Sequence, residues 1–121
     1  MLKIEIKGIR RVQAFIIAKN VQANKLKDSG LKQAGELIRN EVKASIRGDR
    51  AEPRSVKTGE FLRSVEIVQS EDSVVVLSDV EHSKFLEFGT SRIQARRHFA
   101  NTQHRNKKKI EDIINLNIKK I

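Results

Sequence analysis

The sequence predicts an α+β fold: an N-terminal strand and a long helix, or kinked helix pair, packed on a small antiparallel sheet, with a short helix and a long C-terminal helix. Three observations carry this expectation. Leu2, Ile4 and Ile6 alternate with Lys3, Glu5 and Lys7, the period of a half-buried strand. Leu31, Ala34, Leu37, Ile38, Val42 and Ile46 recur every three or four positions, the stripe of an amphipathic helix. Residues 65–69 and 74–77 are β-branched runs separated by Ser70, Glu71, Asp72 and Ser73, the composition and spacing of a hairpin. At 121 residues and 38% hydrophobic content, the chain is expected to form one domain over 1–121.

Gly8 should end the first strand. From Ile9, the apolar residues Ile9, Val12, Phe15 (or Ile16) and Ile17 keep helical spacing to about Leu26. Asp28, Ser29 and Gly30 then offer an N-cap or a kink, so 9–46 reads as one helix or two. Gly48 stops the helix, and 47–57, which holds the only proline and no apolar periodicity, reads as an exposed loop. Its Arg47-Gly48-Asp49 tripeptide matches an adhesion motif, but a three-residue match at a helix end is weak and is set aside. Thr58 is placed to cap a short turn that carries Phe61 and Leu62 inward. Asp79 can cap a second short helix in which Phe85 and Phe88 share a face, with Gly89 ending it in the left-handed conformation. From about Arg97 a last helix carries Phe99, Ile110, Ile113, Ile114, Ile118 and Ile121 on one side. Gln103 and Asn106 interrupt that stripe, which predicts that part of the helix projects from the domain; all five phenylalanines are expected in the core.

The chain carries 25 Lys and Arg against 15 Asp and Glu, a net charge of +10. Residues 1–57 hold +8, residues 58–91 hold −5 and residues 92–121 hold +7. A protein whose sole partner is nucleic acid would stripe its cations over one face, whereas here an acidic block separates two basic ones. Self-association or a charged protein partner therefore competes with DNA. Residues 92–109 are the most basic stretch: Arg92, Arg96, Arg97, Arg105, Lys107, Lys108 and Lys109, with no acid. This stretch reads equally as a solvated helical face or as a phosphate or acidic-protein contact.

Chemistry-bearing motifs are missing. No apolar run approaches the roughly 20 residues of a membrane helix, and the N-terminus lacks a signal-type apolar stretch. With no cysteine there are no disulfides and no thiolate metal sites. His82, His98 and His104 form no metal-ligand spacing and read as surface histidines. No glycine-rich phosphate loop and no nucleophile-elbow serine occurs, and Glu71 and Asp72 sit at a hairpin tip where solvent holds both near normal. With neither Trp nor Tyr, the aromatic stacking that reads single-stranded bases is weakly supplied. The expectation is no enzyme, no cofactor and no metal.

Residues 56–65 (Val56-Lys57-Thr58-Gly59-Glu60-Phe61-Leu62-Arg63-Ser64-Val65) and residues 85–99, with Phe85-Leu86-Glu87-Phe88-Gly89-Thr90 followed by Ala95, Arg96 and Phe99, carry a resemblance. The chain resembles the tailed-bacteriophage neck or tail-completion family of the lambdoid siphophage tenth-gene-product type, also called head-tail joining or minor tail proteins. Thr58, Gly59, Ser64 and Val65 fit the family's "V-D-T-G-x-L-x-x-S-I" segment, with Phe61 in the leucine place. Glu87, Phe88, Gly89 and Thr90 fit "Y-V-E-F-G-T-S", and Ala95, Arg96 and Phe99 fit "A-R-P-F". Lys57 stands where Asp is common, and Gln94 and Arg97 where Pro is common. Losing both prolines frees two φ angles and leaves the turn into the last helix less constrained.

By their chemistry these residues have structural roles: Gly59 and Gly89 for tight backbone, Thr58 as a cap, Phe85, Phe88 and Phe99 as anchors. Glu87 is expected to pair with Arg96 or Arg97 of its own chain, ahead of a basic group of a neighbour. The resemblance implies a non-enzymatic virion protein, made in the host cytoplasm, that assembles as a six-fold or related homo-oligomeric ring. The ring would join tail to capsid connector around the DNA channel, with neck, connector or tail-tube proteins as partners and no membrane. Residues expected to touch DNA or partners are Arg50, Arg54, Lys57, Arg92, Arg96, Arg97, Arg105, Lys107, Lys108 and Lys109. The alternative is a small basic nucleic-acid-binding protein or nuclease toxin, against which the acidic hairpin and the absent Tyr count.

Overall fold

The structure, a computed structural model, describes residues 2–7, 21–70 and 73–119. Within them the order is β1 (Leu2–Lys7), α1 (Val21–Arg47), α2 (Glu60–Ser64), β2 (Glu66–Gln69), β3 (Ser73–Ser78), α3 (Ser83–Phe88) and α4 (His98–Lys119). The predicted α+β class holds. Helical periodicity over 9–20, the break at Gly8, the tip residues Glu71 and Asp72, and Ile121 lie outside the described residues.

The three strands form one antiparallel sheet in the order β1-β3-β2. Alternation sets the register: Ile4 pairs with Val76 and Val76 with Ile67, while Ile6 pairs with Val74. Ile4, Ile6, Val74 and Val76 thus share the inward face and are buried. Against that face lies α1, whose stripe of Leu31, Ala34, Ile38, Val42 and Ile46 is buried as its spacing predicts. Contact is closest at Gly35, where a Cβ would meet Val74 Cγ2 at 2.6 Å, so only the absence of a side chain lets helix and sheet approach this far. From Val21 the helix runs unbroken through Asp28, Ser29 and Gly30, which therefore supply neither an N-cap nor a boundary. It ends in a Schellman motif: Asp49 N–H donates to Ala44 O, Gly48 N–H to Ser45 O, and Gly48 takes φ 88°.

α4 packs chiefly along α1 and also touches β1. The polar middle of α4 is not where it leaves the core, since Thr102 and Asn106 are buried; the largely exposed stretch lies further on, at 107–116, where Leu116 is exposed. Asn106 Nδ2 donates to Thr102 O one turn back, so the amide satisfies itself locally and can enter an apolar seam. Gln103 is exposed, as a polar residue between two buried ones should be.

Two other expectations fail at the short helices. Phe85 and Phe88 are exposed, at 45% and 72%, so not every phenylalanine is in the core. α3 turns Leu86 and Glu87 inward instead. Its N-cap position is His82 and not Asp79, with Ser83 Oγ bonding back to Val80 O. At α2 the N-cap residue is Gly59, at φ 82°, while Thr58 Oγ1 accepts the Glu60 N–H from one residue further out. Phe61 is buried and Leu62 half-buried, as expected. No helix among the described residues is long and apolar enough to cross a membrane.

Candidate functional site

The motif residues gather around the start of α4, where the 47–57 loop, α2, α3 and the 89–97 turn meet. Glu87 organises this region. It is 3% exposed, and its two carboxylate oxygens accept the N–H groups of Phe99 (2.8 Å) and Ala100 (3.0 Å), the first-turn donors of α4. The expected pairing with Arg96 or Arg97 is therefore wrong. A carboxylate on a helix N-terminus satisfies orphan donors and meets the positive end of the helix dipole, so no arginine is needed.

The turn between α3 and α4 is tied at each step. Gly89 takes φ 78° with ψ 171°, so φ is positive as expected although the pair is not that of a left-handed helix. A Cβ there would lie 2.8 Å from Ala95 N and 2.9 Å from Ile93 O. Thr90 N–H donates to Ile93 O, and Thr90 Oγ1 accepts the N–H groups of Arg92 and Ile93. Arg96 N–H then caps Leu86 O and Arg97 N–H caps Glu87 O. Arg97 has φ 55°, a torsion closed to proline. The turn that loses two prolines is held by hydrogen bonds instead, on a path that proline at 97 would exclude.

Beneath this turn lies a polar chain that sequence reasoning missed. Ser45 Oγ donates to Glu52 Oε1 (2.5 Å) and contacts His98 Nδ1 (2.7 Å), while Ser55 Oγ contacts His98 Nε2 (2.7 Å). Since the Ser45 proton goes to Glu52, Ser45 accepts from His98 Nδ1–H, and Nε2 accepts from Ser55; the network assigns this tautomer. Glu52 also receives Arg105 through two nitrogens (3.0 and 3.1 Å) and Asn101 Nδ2 (3.2 Å). Two expectations are thereby corrected. His98 is fully buried and not a surface histidine, and Glu52, in a loop read as exposed, is 5% exposed. His82 and His104 are exposed as expected.

Burial raises the Glu52 carboxyl, but bonds from Arg105, Ser45 and Asn101 outweigh it and hold the group down at about 2. Burial pushes His98 down to about 4, with the Glu52 charge opposing and the Arg96 charge adding. An activated nucleophile has its histidine oriented directly by a third group such as a carboxylate, whereas here Ser45 stands between His98 and Glu52. His98 is also a poor base at neutral pH, and Arg96 Nη1 already bonds Ser55 Oγ at 2.8 Å. The chain acts as a clamp joining α1, the 47–57 loop and α4.

That clamp carries a pH signature. Because His98 is depressed in the folded chain, the unfolded chain takes up its proton first, so stability is complete above the ordinary value of 6.5 and falls as pH drops toward about 4. Glu52 adds a second loss between its ordinary 4.5 and about 2. Denaturant unfolding at a series of pH values should show both steps, and His98→Gln should flatten the upper one while leaving the lower in place.

The cations expected at an interface divide. Arg105 is committed to Glu52, and Arg50 pairs with Glu41 at 2.7 Å, which lowers the Glu41 carboxyl and raises the Arg50 guanidinium. Lys108 sits 3.8 Å from Asp112 in an exposed helical pair of little energetic weight. Among the described residues Arg54 and Arg96 reach only neutral oxygens, Arg54 on Arg47 O and Arg96 on Arg54 O and Ser55 Oγ. The side chains of Lys57, Arg92, Arg97 and Lys107 have no partner among the described residues, while the charge of Lys109 helps to lower the Glu41 carboxyl.

Two grooves flank Ile93. The larger, about 600 Å³, has Val56, Phe61 and Leu86 among its apolar walls and Arg54, Lys57 and Arg96 among its cations. A second, about 420 Å³, runs between Pro53 and residues 92–96. Lys107, Lys108 and Lys109 line neither. Ser64 is internal: its Oγ donates to Phe61 O and receives Ser78 Oγ (2.6 Å), fastening α2 to β3. On the outside, Phe85, Phe88 and Ile93 are exposed, with Lys84 Nζ 5.6 Å from the Phe85 ring centroid. The surface thus combines aromatic side chains and unpaired cations on a base fixed by Glu87, Gly89 and His98, an arrangement suited to holding another macromolecule.

A family model described as "Bacteriophage HK97-gp10, putative tail-component" matches residues 9–89. The match takes in Thr58, Gly59, Ser64, Glu87 and Gly89 and stops short of Ala95, Arg96 and Phe99. No curated protein and no solved structure matches the chain.

Proposed function

The chain belongs to the bacteriophage HK97-gp10-like tail-component family, and from that premise we propose that it is a non-enzymatic structural protein of the virion neck. It assembles with further copies as a ring at the head-tail interface and docks other phage structural proteins around the DNA channel. The observation that carries this reading is the exposed pair Phe85 and Phe88 on a helix whose opposite side is locked by Glu87. Aromatic side chains held out on a rigid base are the anchors that protein interfaces use. A ring needs two unlike surfaces on each subunit, and charge that alternates along the chain supplies them.

Phe85→Ser combined with Phe88→Ser tests the docking half. Neither ring is in the core, so the melting temperature is expected to stay near that of the wild type. Joining of heads to tails, counted by negative-stain microscopy of particles made with the variant, is expected to drop severely. Normal joining would remove these rings from any interface.

A further inference from the structure

We infer that the larger groove seats the β2 edge of a second copy, with Glu66 of that copy meeting the groove cations and its Val68 resting on the apolar floor. The inference builds on the self-assembly reading and assigns its two contact surfaces. The groove side is electrostatically incomplete: among the described residues Arg54 and Arg96 bond only to carbonyl and hydroxyl oxygens, and Lys57 is exposed without a partner. The groove lining sets these three cations against a single carboxylate, Glu60, so it keeps an excess of positive charge that an incoming carboxylate offsets. Val56, Phe61, Leu86 and Ile93 give the same cavity an apolar side. That combination fits an acidic side chain followed by an apolar one better than a phosphodiester, whose linkages are polar on both sides.

The chain itself carries such a segment. Among the described residues β2 is an edge strand, paired only with β3. Its Ile67 faces α1, within reach of a Cβ placed on Gly35, so Glu66 and Val68 point away from the core on the other face. Val68 is 53% exposed and Glu66 is exposed. Of the large apolar side chains exposed among the described residues, which are Val68, Phe85, Phe88, Ile93 and Leu116, Val68 alone lies on a strand edge with an acid two residues away on its own face. An acid and an apolar side chain in alternation match a groove with a cationic wall and an apolar floor. The contact joins unlike surfaces, so it propagates from copy to copy as a ring requires.

Charge reversal tests the pairing, with subunit association measured by light scattering and native mass spectrometry on the full chain. Lys57→Glu and Glu66→Lys both alter exposed side chains, and circular-dichroism melts check that they fold. Each single variant is expected to weaken association about tenfold or more, and the combined variant to recover most of that loss. Val68→Ser is expected to weaken association without being rescued by either reversal. Single variants that associate like the wild type, or a combined variant no better than the singles, would overturn the groove assignment while leaving self-assembly intact. A wild-type chain that stays monomeric at every concentration and salt would overturn self-assembly and this inference together. If Lys57→Glu loses affinity for a double-stranded DNA fragment and still self-associates, the groove is a phosphate site and the inference fails.

Discussion

Glu52→Ala is expected to cost about 3–5 kcal/mol of folding stability, the range for breaking a buried ion pair from one side. The substitution removes the acceptor for Arg105, Asn101 and Ser45 at once. Arg105 is about one-third exposed and can rotate toward water. Ser45 and His98 cannot, and the Ser45 hydroxyl is left without its carboxylate inside the α1–α4 seam. Glu41→Ala is the control: it breaks the Arg50 pair at the surface, where screening and side-chain entropy leave only a small contribution. Denaturant unfolding of the two variants should separate them clearly. Equal, small losses would mean that the Glu52 cluster is not a clamp.

Glu87→Ala is expected to cost about 2–4 kcal/mol, combining a lost helix cap with two N–H groups left unpaired at a buried site. Phe99 N–H is the more costly of the two because Phe99 is itself buried and water has poor access. Glu87→Gln keeps one acceptor oxygen and loses the charge that complements the α4 dipole, so its loss should be smaller. Amide hydrogen exchange should locate the effect: protection at Phe99 and Ala100 is expected to fall in both variants, and protection in β3 to fall only with global stability. A Glu87→Ala chain as stable as the wild type would show that α4 is capped some other way.

These two glutamates mark the boundary of what the sequence makes legible. Wherever local period decides structure, the reading succeeds. Alternation in 2–7 gave β1, the β-branched run at 74–77 gave β3, and the stripe from Leu31 to Ile46 gave the buried face of α1. α3 defeats the same method because six residues containing Phe85, Leu86 and Phe88 are apolar on more than one side. Which side turns inward is decided by Glu87 reaching α4, a contact 12 residues away in the chain. The Ser45–Glu52–His98–Ser55 chain is harder still, since His98 meets its two serines across 53 and 43 residues. A lone histidine and a loop glutamate carry no local signal of such a meeting. Arg105 shows the consequence for site prediction: counted with the free cations from its composition, it is consumed by an acid that only the fold brings near.

Thr58, Gly59, Gly89 and Thr90 lie in turns beside α2 and α3, and Ser64 and Glu87 within those helices, where their side chains bond to β3 and to the start of α4. Their work is to keep the surface bearing Phe85, Phe88 and Ile93 in one shape. The net charge of +10 likewise divides once partners are assigned: part is spent inside the fold on Glu41 and Glu52, and part stands in the groove, where three cations face one carboxylate, Glu60. A structural subunit that binds acidic surfaces of its neighbours uses charge in that way.

A cryo-electron-microscopy map of the neck of particles that carry this chain is expected to show closed rings of the chain between connector and tail, with α3 and the 89–97 turn against a neighbouring protein. Particles with complete necks and no density for the chain would contradict that expectation.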